Sequence, residues 1–210
     1  MRTIAIIPAF NEEKTIGGVL SVLVQVGEID EIIVVNDGSK DRTATVAGQF
    51  GITLVNLEEN RGKGGAIKAG LDSSGADVVL FLDADLIGLK LEHIRQLLAP
   101  VVTGQYVMSV GLFENGRRAT DFAQKVAPYL SGQRAVRREV LEAINNLDIS
   151  RFGVEVAITK MVDSRNLAVK DVYLQDLTHV TKEEKLGVIK GFAARIKMYW
   201  EIVQCFAKIE

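Results

Sequence analysis

The chain has 210 residues, 48% of them hydrophobic and 25% charged, with a formal net charge of -2. That is room for one large α/β domain and little else, and a charge so near zero gives no global reason to expect nucleic acid, so any anion binding must be local. The single cysteine, Cys205, excludes an internal disulfide and fits a reducing compartment; no secretory leader and no apolar run of roughly 18 residues is visible, which predicts a cytoplasmic protein without a spanning helix.

Thr3-Ile4-Ala5-Ile6-Ile7-Pro8 reads as a short strand that stops at proline, because Pro8 has no N–H to give a neighbour. Asn11 then suits a helix N-cap, and Glu12 and Glu13 the positive end of its dipole, ahead of apolar residues at 16, 19, 20 and 23. Glu31-Ile32-Ile33-Val34-Val35-Asn36-Asp37-Gly38-Ser39 is a buried strand running into a carboxylate and a glycine turn, and Asp41-Arg42-Thr43 opens a helix. Thr53-Leu54-Val55-Asn56-Leu57 is a third strand, followed by the loop Asn60-Arg61-Gly62-Lys63-Gly64-Gly65-Ala66 and a helix through Ile67 and Leu71. The loop has the composition of a phosphate cradle without the Walker A order, and no Gly-x-Gly-x-x-Gly follows the first strand. Arg61 and Lys63 either meet phosphate charge or face solvent.

The fourth strand is the stretch around which the chain is organised. Val79-Leu80-Phe81-Leu82-Asp83-Ala84-Asp85-Leu86 runs four apolar residues into two carboxylates, as a strand buried on both faces and ending in a site would. Side chains alternate along an extended chain, so Asp83 and Asp85 project the same way at its carboxyl end. Their mutual repulsion would be relieved by a hard divalent cation such as Mg2+ or Mn2+, shared with a substrate's phosphates. The plain alternative is that one aspartate caps the next helix and the other is solvated. Alternating strands and helices predict an α/β fold with a Rossmann-like, mostly parallel central sheet and helices on both faces. Ligands sit beyond the carboxyl ends of such strands, and here those ends carry residues 8–12, 36–39, 60–65 and 83–85.

In the second half Leu91, Ile94, Leu97, Leu98 and Val101 form one helix face, and Tyr106-Val107-Met108-Ser109-Val110 a further strand. Residues 117–138 hold six basic residues and one acidic one, with Arg134, Arg137 and Arg138 beside Ser131-Gly132-Gln133. Such a surplus marks either a second anion near the site or a solvated basic face. Glu155 opens another helix, as a first-turn carboxylate or as a site residue, and a strand over 167–174 leads to His179. The tail carries Ile189, Phe192, Ile196, Tyr199, Val203 and Phe206 three and four apart, with Lys190, Arg195 and Lys197 between them. This amphipathic helix over 187–210 packs on the sheet, on a second copy of the chain as a homodimer, or on an anionic membrane surface. In the last case the protein would be peripheral on the inner membrane face.

Four segments in order, Ile7-Pro8-Ala9-Phe10-Asn11-Glu12-Glu13, Val35-Asn36-Asp37-Gly38-Ser39, Asn60-Arg61-Gly62-Lys63-Gly64 and Leu82-Asp83-Ala84-Asp85, resemble the successive motifs of family-2 glycosyltransferases with the GT-A fold. They are similar to those of the dolichol-phosphate-mannose synthase and glucosyl-3-phosphoglycerate synthase groups. The likeness implies one domain over 1–210, with a nucleotide-sugar-binding half at 1–90, an acceptor half at 91–180 and the C-terminal helix at 181–210. It implies metal-dependent transfer of a sugar from a UDP- or GDP-sugar to an anionic acceptor, a polyprenyl phosphate or a phosphorylated small molecule.

By the same resemblance, Pro8, Ala9, Asn11, Glu12 and Asp37 would line the nucleoside pocket, and Gly62 and Lys63 would lie by the diphosphate and ribose. Asp83 and Asp85 would be the Asp-x-Asp pair, with Asp85 the more direct metal ligand and His179 the third. The loop of Gly132 and Arg134 would border the acceptor, and Glu155 would hydrogen-bond donor-sugar hydroxyls, making Asp83, Asp85 and Glu155 the catalytic carboxylates. A phosphate acceptor needs no base, whereas a hydroxyl does, and Asp121 and Glu155 are the candidates. No Gln-x-x-Arg-Trp occurs, which argues against processive polysaccharide synthesis. Two other classes share the ingredients. A sugar-1-phosphate nucleotidyltransferase would carry a glycine-rich, lysine-containing loop where this chain has Pro8-Ala9-Phe10-Asn11, and a nucleotide-binding protein without turnover would keep the pocket alone.

Overall fold

A computed structural model describes residues 1–113, 131–144 and 153–179. The basic residues Arg117, Arg118 and Lys125, the candidate base Asp121, and the tail helix with its membrane and homodimer alternatives lie outside the described residues. Among the described residues, no helix is long and apolar enough to cross a membrane.

The strands are β1 (Thr3–Ala9), β2 (Glu31–Asp37), β3 (Thr53–Leu57), β4 (Val78–Phe81), β5 (Leu86–Ile87), β6 (Met108–Phe113), β7 (Arg134–Arg137), β8 (Val169–Leu174) and β9 (Thr178–His179). Seven of them make one sheet in the order β3-β2-β1-β4-β7-β6-β8, and β5 and β9 pair separately. The pairs β1–β2, β1–β4, β2–β3 and β6–β8 are parallel, while β7 runs antiparallel to both β4 and β6. The helices are α1 (Ile16–Leu23), α2 (Thr43–Ala47), α3 (Gly62–Asp72), α4 (Leu91–Val102), α5 (Arg138–Glu142) and α6 (Gly153–Ser164).

Two separate cores lie on opposite faces of the sheet, as parallel strands buried on both sides require. Ala5, Ile7, Val34 and Leu80 pack with Ile16, Val19 and Leu20 of α1 and Ile94, Leu97, Leu98 and Val101 of α4. Their neighbours along the same strands, Ile4, Ile6, Ile33, Val35, Val79 and Phe81, turn to the other face, against Ile67 and Leu71 of α3 and Val154, Ile158 and Val162 of α6. The mostly parallel sheet with helices on both faces is therefore what the apolar runs predict.

Three local expectations change. The first strand does not stop at Pro8 but runs to Ala9. The Ile6 carbonyl takes the last bond from β4, at Leu82 N–H 3.4 Å away; Pro8, two residues on, faces the same way but beyond the end of β4, so its missing N–H costs no rung. Asn11 is not a helix cap, because α1 begins at Ile16 with Thr15 before it. Asn11 takes a left-handed backbone, φ 57°, and its Oδ1 accepts the Lys40 N–H at 2.9 Å, which ties the first loop to the second. β7, read beforehand only as a basic stretch, is a central strand: Ala135 and Val136 are buried with no exposure at all.

Gly70 of α3 marks where helix and sheet come closest. A β-carbon there would lie 2.8 Å from Ile6 Cγ2 and 3.2 Å from Val35 Cγ2. In Gly70→Ala the overpacking cost, about 1–3 kcal/mol, exceeds the helix-propensity gain of about 1 kcal/mol. At exposed Gly18 in α1 nothing lies within 4 Å, so Gly18→Ala gains about 0.5–1 kcal/mol. Urea unfolding checks both; a Gly70→Ala midpoint at or above wild type contradicts the packing described here.

Candidate active site

The carboxyl ends of β1, β2, β3 and β4 open onto one edge, and their loops are laced together by side chains. Asn11 N–H donates to Ser39 Oγ at 3.0 Å, Glu12 N–H to Thr43 Oγ1 at 2.8 Å and Glu13 N–H to Asp41 Oδ2 at 3.1 Å. Asp37, 3% exposed, accepts the Arg61 N–H at 2.7 Å, binding the glycine loop to the end of β2. Between them Gly38 has φ 70°, and a β-carbon would meet the backbone of Glu59 and Asn60, so only glycine lets these two turns lie together. Pro8, Ala9, Asn11, Glu12 and Asp37 are thus assembled on a single edge, with Gly62 buried as the first residue of α3.

β4 ends at Phe81, short of the predicted run to Leu86, and Asp83 and Asp85 lie in the loop and turn that follow it, both half-buried, with Ala84 between them 3% exposed. Lys63, in the first turn of α3, points at this turn. Its Nζ lies 2.5 Å from Asp83 Oδ1 and 2.6 Å from Glu155 Oε1. Glu155, in the first turn of α6, is 6% exposed. The other Asp83 oxygen accepts Gln133 Nε2–H at 2.7 Å. Burial opposes charge on Lys63, but the facing Asp83 and Glu155 carboxylates outweigh it and hold its pKa above the ordinary lysine value. For Asp83, burial pushes upward and is outweighed by the Lys63 ion pair, the Lys63 and Gln133 hydrogen bonds and the charge of His179, so its pKa falls below the usual aspartate value.

The segment 131–133 lies against this ion pair. A β-carbon on Gly132 would run into the Asp83 carboxylate and Lys63 Nζ, and neither group can retreat without giving up the other. Arg134 does not face the cleft as expected of an acceptor-binding residue. It is 1% exposed and works from beneath: its guanidinium donates to the Ser131 carbonyl at 2.5 and 3.0 Å, the Glu155 carbonyl at 3.2 Å and Thr159 Oγ1 at 3.2 Å. Burial lowers its pKa to about 10, against the pull of Glu155 and Asp83, so it stays charged at neutral pH and braces the 131–133 segment against α6. Arg137 pairs with Val78, at the opposite end of β4 from the Arg134–Phe81 pair, about 10 Å away at roughly 3.3 Å per residue. Arg137 and Arg138 therefore stand at the far edge of the sheet, away from the site.

His179 comes to the site through the small β5–β9 ladder, where it pairs with Leu86, the residue after Asp85. It is exposed and its ring lies 5.7 Å from that of Phe113. An imidazole and a carboxylate of this kind fit a Mn2+ or Mg2+ ion. Among the described residues no three carboxylate, imidazole or thiol groups converge to hold a metal, so oxygens of a bound diphosphate or water would complete its shell. Gln133 is the contact residue that reading the residues one by one missed. Its signal lay only in adjacency to Gly132, since nothing local reports that an antiparallel β7 returns to the tip of β4.

A mostly parallel sheet with loops and paired aspartates along its carboxyl edge is the GT-A architecture. Residues 4–153 match the model for glycosyl transferase family 2, and the chain belongs to that family. Glucosyl-3-phosphoglycerate synthase of Mycobacterium tuberculosis is 34% identical over 75% of this chain and 60% of its own length. An uncharacterised protein of Methanocaldococcus jannaschii is 28% identical over 92% of this chain and 89% of its own. A crystal structure of the M. tuberculosis synthase with Mn2+, UDP-glucose and phosphoglyceric acid superposes with a TM-score of 0.74 at 28% identity, covering 85% of this chain and 71% of that one. In sequence alignment the chain spans 60% of the synthase's length.

Lys63→Met leaves Asp83 and Glu155 facing each other without a counter-ion, which costs about 3 kcal/mol at pH 7. With Lys63 gone, the burial that pushes Asp83 upward is no longer outweighed by its ion pair, so in the variant Asp83 regains stability by taking up a proton on acidification, and the deficit of Lys63→Met shrinks between pH 7 and pH 4. Adding Glu155→Gln restores part of it. Urea denaturation at the two pH values checks this; an equal deficit at both contradicts the ion-pair account.

Proposed function

We propose that this protein is a metal-dependent glycosyltransferase that moves a sugar from a nucleoside-diphosphate sugar to an anionic, phosphorylated small-molecule acceptor. UDP-glucose and phosphoglyceric acid, which the M. tuberculosis synthase binds, are the donor and acceptor to try first. The observation that carries the reading is Lys63 held between Asp83 and Glu155, directly below Gly132 and beside the turn of Asp85. Among the described residues, Asp83 and Glu155 both face Lys63, and Arg134 is buried beside Glu155. Carboxylates gathered at the carboxyl end of β4 favour a diphosphate that arrives together with a divalent cation.

Asp85 and His179 would hold the ion, and Asp83, its two oxygens already engaged by Lys63 and Gln133, would face the donor as a fixed acceptor. When bound, the ion supplies neutralising charge to the diphosphate as its bond to the sugar breaks. Lys63 is occupied by two carboxylates, so its part is to fix them in place rather than to meet the diphosphate alone. Glu155 is thereby oriented, suited to accept hydrogen bonds from sugar hydroxyls. The loop of Gly132 closes the acceptor side. An attacking phosphate oxygen requires no proton to be removed, whereas attack by the hydroxyl of phosphoglyceric acid would pass its proton to a carboxylate, for which Glu155 is the candidate among the described residues.

Incubation with Mn2+ and a panel of nucleotide sugars, with phosphoglyceric acid and a polyprenyl phosphate as acceptors, should release nucleoside diphosphate only when metal is present. Pyrophosphate release from nucleoside triphosphate and a sugar phosphate would instead favour the nucleotidyltransferase class. Asp85→Ala is expected to abolish metal-dependent donor binding, by at least about a hundredfold, with an unchanged circular dichroism spectrum. Wild-type binding by that variant, measured calorimetrically with Mn2+ and UDP, would contradict the assignment.

A further inference from the structure

Asp83 and Asp85 are chemically alike and lie close together past the end of β4, so their division of labour must come from what surrounds them. Asp83 is the one that is covered. Its Oδ1 accepts Lys63 Nζ–H at 2.5 Å, and a metal ion on that oxygen would stand beside the ammonium, where like charges repel. Oδ2 is therefore the edge an ion would use, and it accepts Gln133 Nε2–H at 2.7 Å. An ionised carboxylate only accepts, so the amide nitrogen of Gln133 faces it rather than the amide oxygen. Gly132 lies against the same group, close enough that a β-carbon there would strike both carboxylate oxygens.

Gln133 is anchored to hold that place. It is 1% exposed, and its carbonyl accepts the Gly111 N–H at 2.7 Å. Its own N–H donates to Ser131 Oγ at 3.3 Å, and that hydroxyl donates to the Gly111 carbonyl at 2.6 Å. A β-carbon on Gly111 would press on the Gln133 carbonyl oxygen and run into Leu174, so the segment before β7 lies close against β6 only because glycine stands there. These bonds fix the backbone by themselves, which leaves the buried Nε2–H donor to be explained by Asp83.

We propose that Gln133 is a positioning residue that keeps the divalent ion on Asp85: by occupying Oδ2 it withholds the Asp83 carboxylate from the metal. The assignment of Asp85 and His179 as metal-holding groups, proposed above, is the ground on which this role stands. An Asp83 oxygen that holds one N–H keeps a lone pair for a donor hydroxyl, whereas an ion at Oδ2 would have to displace the amide.

Gln133→Met keeps the length of the side chain without an N–H donor, and Gln133→Leu is a second variant read in the same way, each with circular dichroism to establish the fold. Binding of Mn2+ alone, read by electron paramagnetic resonance, is expected to tighten about tenfold in both, because the number of charged ligands sets the affinity for a hard cation. Adding Asp83→Asn should remove the gain. A role confined to holding the segment 131–133 predicts equal or weaker affinity and no dependence on Asp83. With Asp85→Ala having lost the binding of Mn2+ and UDP, either that result in a folded variant or a gain that survives Asp83→Asn overturns the Gln133 proposal alone. Wild-type binding of Mn2+ and UDP by Asp85→Ala overturns the assignment beneath it.

Discussion

A single ammonium group, that of Lys63, holds the site in shape. It sits where three elements from distant parts of the chain converge, the start of α3, the tip of β4 and the start of α6, and it contacts a carboxylate from each of the latter two at about hydrogen-bond distance. Without it Asp83 and Glu155 would repel each other in a largely water-excluded place. With it they are held together, and Asp83 and Lys63 lie flush with Gly132, whose lack of a side chain is what permits so close an approach.

The fold serves this arrangement through its layers. Lys63 arrives because α3 packs on one face of the sheet through Ala66, Ile67 and Leu71, and Glu155 arrives because α6 packs on the same face through Val154, Ile158 and Val162. Both helices thus point their first turns at the carboxyl end of β4. Arg134 reinforces the join from within, donating to the Ser131 carbonyl and, together with Thr159 Oγ1, to the Glu155 carbonyl. On the opposite face α4 packs beside β4, and Leu177, two residues before His179, joins the same core as Ala84 and Leu86.

The first four strands could be read from the chain because parallel strands buried on both faces are unbroken apolar runs, and Asp83 and Asp85 because the apolar run breaks into paired carboxylates just past the end of β4. Helix α4 was equally plain from Leu91, Ile94, Leu97, Leu98 and Val101. What escaped was non-local. Nothing near Arg134 reports that it lies in an antiparallel central strand, and a four-residue segment with arginine at both ends looks like surface. Asn11 carries the composition of a cap, yet its side chain serves a loop some thirty residues further on, a pairing created only when β1 and β2 lie side by side. The same holds for Lys63 and Glu155: each is visible as a charged residue opening a helix, and only the topology makes them a pair. The motifs drew the outline of the site, and tertiary contacts determined which groups in it face a ligand and which face one another.

The most direct measurement is a crystal structure with Mn2+ and UDP, in which the ion is located by its anomalous scattering. The account predicts the ion between Asp85, His179 and the diphosphate, with Lys63 still bridging Asp83 and Glu155. An ion seated between Asp83 and Glu155, with Lys63 displaced into solvent, would contradict it.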